Sequence, residues 1–265
     1  MKRDPVTLLL ILMLLAGLGL ICYPTVSQLW NRHHQSRLIA GYIAETAGLD
    51  GGARERALEA ARAYNAALPP LHVLSDAERA DYLGQLNLTD SGIMGDLEIP
   101  RLRLSLPIYH GAGESVLQIA VGHIEGTALP VGGLGTHCAL TGHRGLPSAR
   151  LFTDLNKLAV GDTFQIRVAG ETLTYEVDQI RTVAPADVSA LAADPALDLC
   201  TLVTCTPYGL NTHRLLVRGH RVEDAPQAVR ADAAPAPNAQ TGFAPALPLA
   251  LLPMAARIWK RRRTG

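Results

Sequence analysis

Hydrophobic and polar residues follow three different patterns along the chain. Residues 6–26 carry no charge, and as a helix they would be roughly 31 Å long, enough to cross a bilayer. Residues 27–47 and 53–68 are predicted to be helical, and Pro69 and Pro70 end the second of these helices. From Gly95 the period changes to two, which indicates strands.

The second half of the chain contains short strands separated by Gly, Pro and Asp turns. One short helix is predicted around residues 149–158. The strands include "GDLEIP", "LSLPIY", "CALTGH", "TFQIRV" and "TLTYEVDQI". Many short strands with few helices predict a closed or nearly closed antiparallel barrel.

Both ends of the chain are candidates for membrane contact. Residues 6–26 lack the small-residue cleavage site of a signal peptide, which favours an uncleaved anchor. Near the C-terminus, "FAPALPLALLPMA" is apolar and is followed by "KRRR", which favours the cytoplasmic face; a disordered basic tail is the alternative. If both segments span, both termini are cytoplasmic and the middle of the chain is outside.

These patterns divide the chain into five regions. They are an N-terminal anchor (1–27), a helical extension (28–91) with a lid-like segment, a β-barrel (92–222), an Ala/Pro-rich linker (223–242) and a predicted C-terminal membrane segment with a basic tail (243–265).

Composition excludes several classes of function. The formal net charge is +0, so no overall basic field attracts nucleic acid. The chain has four cysteines, Cys22, Cys138, Cys200 and Cys205, without a CxxC pair or zinc-finger spacing. We therefore expect no metal site and no cofactor. Cys138 and Cys200 are predicted to be free, buried thiols; a disulfide between them is the alternative.

The stretch "TLVTCTPYGLNTHRLLVRGHR" (201–221) carries the candidate chemistry. A β-branched strand ends at Cys205, a turn follows, and the next strand folds Arg214 back beside the thiol. A cation favours the thiolate, and the guanidinium can bind an oxyanion. His143, in the glycine-flanked loop "GHRGLP", is the candidate acid/base, whereas His213 should point to the opposite face from Arg214.

These motifs resemble the sortase family, in which a TLxTC strand carries the nucleophile. "GDLEIPRLRLSLPIYHG", "GHIEGTALPVGG", "TGHRGLPSARLFTDLNKLAVGD" and "TCTPYGLNTHRLLVRGHR" are similar to class C sortases, the pilin-polymerising branch. The resemblance implies a mainly β fold, an eight-stranded sortase barrel with an N-terminal helical extension and membrane-anchoring ends. It also implies Cys205 as nucleophile, His143 as acid/base and Arg214 as oxyanion stabiliser.

The resemblance further implies the substrates. An LPXTG-like sorting signal on a pilin or surface protein would be cleaved between Thr and Gly, and a Lys side chain would accept the acyl group. The barrel would then be extracytoplasmic on a cell membrane. The alternatives are a housekeeping sortase that attaches surface proteins to cell-wall peptide, and a non-enzymatic surface barrel that binds peptides. A papain-like hydrolase is disfavoured because papain-like enzymes place the Cys at the start of a helix.

One segment departs from the class C pattern. Members of the class carry a lid with an Asp-Pro-aromatic motif before the barrel, and residues 68–92 contain no such motif. Leu71, His72 or Tyr82 could take the place of the aromatic side chain of that lid. We therefore expect only weak self-inhibition.

Overall fold

The computed structural model describes residues 5–69, 71–89 and 91–223. Residues 224–265, which hold the predicted linker and C-terminal membrane segment, lie outside them. The helices are α1 (Pro5–Gly48), α2 (Gly51–Ala67), α3 (Asp76–Gly84) and the short α4 (Glu114–Leu117). The strands are β1 (Ile93–Ile99), β2 (Leu104–His110), β3 (Val121–His123), β4 (Thr136–Thr141), β5 (Thr163–Val168), β6 (Glu171–Val183), β7 (Asp198–Thr206) and β8 (His213–Val222).

The eight strands close into a barrel in the order β1-β2-β3-β4-β7-β8-β6-β5. The predicted barrel is therefore confirmed, but the expectation that all pairs are antiparallel is wrong. β2 pairs with β3, and β4 with β7, in parallel. Parallel neighbours need a crossover connection. The segment containing α4 makes the first crossover, and the β5–β6 hairpin lies within the second.

The barrel interior is filled by alternate residues of each strand. On β5, Phe164, Ile166 and Val168 are buried, and their neighbours Gln165 and Arg167 are only partly so. The Phe164 ring stacks on that of Tyr175 from β6, with ring centroids 5.5 Å apart. This two-residue period explains why the strands were visible in the sequence.

Helix α1 is continuous across residue 27, where the sequence analysis ended the anchor. Its N-terminal part is apolar and long enough to cross a membrane. Its C-terminal part packs on the barrel, where the hydroxyl of Tyr42 donates to the carbonyl of Met94 at 2.8 Å and accepts from the amide of Ala169 at 3.1 Å. The change from apolar to polar residues therefore alters the surroundings of the helix and not its backbone.

Helix α3 was missed in the sequence, although "SDAE" (75–78) has the spacing of a capping box. The Ser75 hydroxyl accepts from the amide of Glu78, and the Glu78 carboxylate accepts from the Ser75 amide at 2.7 Å. The helix places Tyr82 in the core, where its hydroxyl lies 3.0 Å from Nδ1 of His123 and accepts from the amide of Gly111. Burial raises the pKa of Tyr82.

The predicted helix around residues 149–158 is wrong. Only a 3₁₀ turn, Leu155–Lys157, forms there. Leu151, Phe152 and Leu155 are buried in the barrel core although the segment is irregular. One side of this loop is buried, and the resulting spacing of apolar residues is the same as that of a short helix.

Cys138 and Cys200 are directly paired in the register of β4 and β7, and both are buried in the barrel interior. All four cysteines are free thiols in the structure. Burial raises the pKa of the Cys200 thiol, which disfavours its reactive thiolate.

The Glu78 carboxylate should make the start of α3 sensitive to acid. Hydrogen bonds from the Ser75 hydroxyl, the Ser75 amide and the His72 ring lower its pKa from 4.5 to about 2. A pKa that folding lowers stabilises the folded state above the ordinary value, and this stabilisation is lost as the pH falls from 4.5 towards 2. Amide hydrogen exchange of α3 should rise over this range, and Glu78→Gln should abolish the dependence.

Asp76→Asn is the matched control, because it removes the same charge from the same turn without touching the Ser75 hydrogen bonds. It should leave the acid dependence in place. An NMR titration in which Glu78 keeps its ordinary pKa would contradict the capping geometry.

Cys138 and Cys200 should remain reduced and dispensable. Non-reducing mass spectrometry of the full chain should find no loss of two hydrogens between them. The Cys138→Ala/Cys200→Ala variant should keep the fold at a cost of about 1 kcal/mol per thiol, because little volume is lost. It should also keep the activity that the sequence resemblance implies. An interstrand disulfide would refute this expectation.

Candidate active site

The three predicted residues lie at one end of three neighbouring strands. β7 runs through the middle, with β4 on one side and β8 on the other. Cys205 is directly paired with Arg214 of β8 in the antiparallel register. The predicted hairpin geometry, which folds Arg214 back beside the thiol, is therefore confirmed.

The parallel pairing of β4 with β7 brings His143 to the same place. Thr141 is paired with Val203, so the residues two positions further along, His143 and Cys205, leave the two strands side by side. Two hydrogen bonds continue the pairing beyond β4. The amide of Gly142 donates to the carbonyl of Val203 at 3.2 Å, and the Thr204 hydroxyl donates to the carbonyl of Gly142 at 2.7 Å.

Alternation along the strands places the site on the outside of the barrel. Cys200 and Leu202 face the interior core, whereas Val203 belongs to a second apolar cluster on the outer face. Cys205 is two residues beyond Val203 and therefore shares the outer face. Its side chain is partly exposed, so a substrate can reach it.

His143 is held by its backbone and faces a carboxylate. Its carbonyl accepts from the amide of Phe152 at 3.1 Å, and its side chain is 29% exposed. Nε2 lies 3.5 Å from Oε2 of Glu114, and the other oxygen of Glu114 accepts from the Gln118 amide group. Gly142 is required beside it, since a Cβ there would come within 2.9 Å of the Phe152 ring.

Arg214 is oriented by its own hairpin. Its Nη1 donates to the carbonyls of Asn211 at 3.3 Å and His213 at 3.2 Å. Asn211 has φ +56°, a left-handed conformation that asparagine tolerates in turns. Among the described residues, no acceptor lies on Nε or Nη2 of Arg214, so these donors remain for a substrate oxygen.

His213 is exposed, and its Nδ1 lies 2.9 Å from the Thr212 hydroxyl. As a strand neighbour of Arg214 it belongs to the opposite face. This placement agrees with the expectation that His143 is the histidine beside the thiol.

Glu114 and Arg144 were missed in the sequence. Arg144 follows His143, and its Nη1 donates to the hydroxyl of Thr206, which follows Cys205, at 2.9 Å. This bond links the histidine loop to the end of the cysteine strand. The glycine-flanked "GHRGLP" was the available signal for Arg144, whereas Glu114 lies 29 positions before His143 and only the fold brings it near.

A buried apolar cluster lies on the outer face of the barrel, the face of β7 that Cys205 shares. It contains Ala139 from β4, Val203 from β7 and Leu216 from β8, together with Val183 and Leu191. An apolar surface of this kind suits the side chains of an extended peptide.

Leu71 packs against this apolar cluster. The chain is held there by a close approach of the His72 carbonyl to Gly126, where a Cβ would lie 2.0 Å from the oxygen. Of the three residues proposed to cover the site as a lid, only Leu71 contacts this apolar cluster. The His72 ring lies 3.0 Å from Glu78, and Tyr82 is in the core.

The arrangement suits acyl transfer. A thiol, an imidazole and a guanidinium on adjacent strands can supply a nucleophile, a proton carrier and an oxyanion donor. Among the described residues there is no group of three His, Cys, Asp or Glu side chains that could hold a metal ion.

Comparison with known proteins gives a consistent result. The family model described as the Sortase domain matches residues 97–222. Sortase C1 from Streptococcus agalactiae is 47% identical with a TM-score of 0.70, covering 71% of this chain and 100% of that one. Sortase C-1 from Actinomyces oris is 42% identical with a TM-score of 0.62, covering 65% of this chain and 99% of that one.

Curated relatives are more distant. Sortase D of Bacillus subtilis is 28% identical over 131 residues, which are 48% of this chain and 63% of that protein. The chain matches between 41% and 63% of the length of its curated relatives. The 47% identity with sortase C1, over the whole length of that chain, nevertheless shows the family. The chain belongs to the sortase family of cysteine transpeptidases, and its structural neighbours include class C sortases.

Proposed function

We propose that the protein is a membrane-anchored transpeptidase that cleaves an LPXTG-like sorting signal between Thr and Gly and joins pilin subunits through a Lys side chain. The observation that carries the proposal is the register of β7, which pairs Cys205 with Arg214 and pairs Val203 with Thr141, two residues before His143. The pilin assignment is supported by the sortase C neighbours, one of which is titled for its pilin substrate specificity.

In the first step the Cys205 thiolate attacks the carbonyl carbon of the substrate Thr. The developing oxyanion accepts hydrogen bonds from the free donors of Arg214. His143, as imidazolium, gives its proton to the nitrogen of the leaving Gly as the C–N bond breaks. The products are a thioester on Cys205 and a peptide with a new amino terminus.

In the second step a Lys side-chain amine attacks the thioester carbonyl. Neutral His143 accepts the proton of the incoming amine, and the thiolate of Cys205 leaves as the amide bond forms. The carboxylate of Glu114, 3.5 Å from Nε2, would stabilise the positive charge that His143 carries before the first step and regains in the second.

We further propose that α1 anchors the protein with the barrel outside the cytoplasm. The apolar part of α1 is long enough to span a bilayer. An extracytoplasmic barrel would face secreted pilin or surface proteins with C-terminal sorting signals, and the basic C-terminal tail would then return to the cytoplasm.

Substitutions in the site should affect the chemistry more than the fold. Cys205→Ala should abolish thioester formation, measured by mass spectrometry with an LPXTG peptide. His143→Ala and Arg214→Ala should each lower the rate by ~10²–10⁴. Arg214→Lys should recover little, because an ammonium lacks the guanidinium fork.

His213→Ala is the matched control for His143→Ala and should stay close to the wild-type rate. Equal losses for the two histidines would overturn the assignment. A Lys-bearing peptide and a cell-wall-type peptide amine, offered in competition, separate pilin polymerisation from housekeeping attachment. If product forms only with the cell-wall-type peptide amine, the pilin proposal is wrong.

Leu71 should restrict access to Cys205 only weakly. Deleting residues 69–84 is a poor test because it removes the buried Tyr82 ring. Leu71→Ala should instead raise the rate of Cys205 alkylation by a few-fold, corresponding to less than about 1.4 kcal/mol of lost docking. Val73→Ala is the control, since Val73 is 88% exposed. A hundred-fold rise for Leu71→Ala would show an effective plug.

A further inference from the structure

Helix α1 presents a polar face directly after its apolar part. The apolar run ends at Val26, and Arg32 lies about 9 Å further along the helix at 1.5 Å per residue. The headgroup layer of a bilayer is about 5–8 Å thick on each side. Trp30, 74% exposed, lies at the same level, where aromatic residues favour the membrane interface. The polar face therefore begins at headgroup depth.

This face of α1 and the barrel enclose a cavity of about 190 Å³. The helix contributes residues spaced by three or four positions, and the barrel contributes the start of β2 and the loop after His143. The lining residues are Gln28, Asn31, Arg32, Gln35, Ser36, Arg103, Leu104, Ser105, Ala149, Arg150 and Leu151.

The charge of this cavity is unbalanced. It is lined by Arg32, Arg103 and Arg150 and by no carboxylate. Arg150 is paired with Asp154, which lies outside the lining. Among residues 5–69, 71–89 and 91–223, neither Arg32 nor Arg103 has an ion pair, so two positive charges remain unpaired.

Two other cavities that include arginines are balanced by contrast. A cavity of about 620 Å³ lies at the opposite end of β7 from Cys205 and is lined by two arginines and two carboxylates, Arg62, Arg221, Glu171 and Asp198. A cavity of about 200 Å³ beside Tyr42 has Arg54 and Arg167 with Asp96 and Glu171. The excess of positive charge is therefore a property of the α1 junction and not of barrel cavities in general.

Arg103 also has an unusual backbone. Its φ and ψ are 49° and 49°, the left-handed region that a long side chain seldom occupies. The residue lies between the 3₁₀ turn Pro100–Leu102 and β2. Gly or Asn would fit this position with less strain.

We propose that this cavity binds the phosphate of an anionic phospholipid from the membrane that α1 crosses. Two guanidinium groups in one cavity suit a phosphate, because each offers charge-assisted hydrogen bonds from a planar fork of donors. Arg32 lies about 9 Å beyond the apolar run, just outside the headgroup layer, and its long side chain can reach back into that layer. This position favours a lipid headgroup over free phosphate. The proposal rests on anchoring by α1, which is part of the proposed function, and does not depend on transpeptidation.

The bound lipid would set the height of the active site above the membrane. Asn31 and Ser27 of α1 donate to the carbonyl of Ser148 at 2.7 and 3.3 Å, five residues after His143. A headgroup in the adjacent cavity would strengthen this junction and fix the His143 loop relative to the bilayer. A substrate that is itself held by the membrane would then meet Cys205 at a defined height.

Native mass spectrometry of the full chain in uncharged detergent, with phosphatidylglycerol added, tests the proposal. We expect one phosphatidylglycerol per chain, retained at least about fivefold better than phosphatidylcholine with the same acyl chains, since the choline cancels the phosphate charge. Arg32→Gln/Arg103→Asn should weaken retention at least about tenfold. Asn is chosen because it tolerates the left-handed backbone of Arg103.

The matched control is Arg37→Gln/Arg181→Asn, which removes the same charge from exposed positions outside the cavity. It should retain the lipid as the wild type does. Equal weakening by both double variants would show diffuse charge attraction and overturn the site. Displacement of the lipid by millimolar inorganic phosphate would show a free-phosphate site instead.

Reconstitution into bilayers separates this proposal from the proposed function. A chain that fails to insert through α1 would overturn both anchoring and the lipid site. A chain that inserts and retains the lipid but does not transfer peptides would overturn transpeptidation alone. Thermal unfolding of both double variants should match the wild type, which shows that a loss of lipid is not a loss of fold.

Discussion

The pairing of β7 with its two neighbours is the constraint on which the site depends. The antiparallel register with β8 places Arg214 opposite Cys205, and the parallel register with β4 places His143 alongside. Since side chains alternate with a period of two, a slip of one residue in either pairing would turn the side chains at this end of the barrel from the outer face to the interior. The buried Cys200 and Leu202, with Val203 on the outer face, oppose such a slip because each has a matching apolar environment.

The same alternation gives the barrel an apolar outer surface where most barrels are polar. Ala139, Val203 and Leu216 belong to a buried cluster outside the barrel wall, covered by Leu71 and Ile124. Without this cover the cluster would form an exposed apolar patch, and such patches mark binding sites. Leu71 covers this cluster by apolar contact alone.

How much of this could be predicted from the sequence depends on the range of each interaction. The Cys205–Arg214 hairpin follows from a strand, a turn and a strand within 21 residues, so local pattern was enough. The parallel pairs were missed because the β4–β7 contact joins residues about 60 positions apart and leaves no periodicity. Glu114 was missed for the same reason. Helix α3 was a local feature, and its capping box could have been recognised from Ser75 and Glu78.

Helix α1 has a structural role beyond that of a tether. Asn31 binds the carbonyl of Ser148 in the loop that follows His143, and Gln35 donates to the carbonyl of Ile119 at 2.7 Å, just after α4. The first contact fixes the loop that carries the imidazole, and the second fixes the helix that carries Glu114, its carboxylate partner. The loop of His143 and the helix of Glu114 are thus both held by the same helix, which begins in the apolar segment. Under the proposed function, the helix that would anchor the protein would also position the groups that transfer protons.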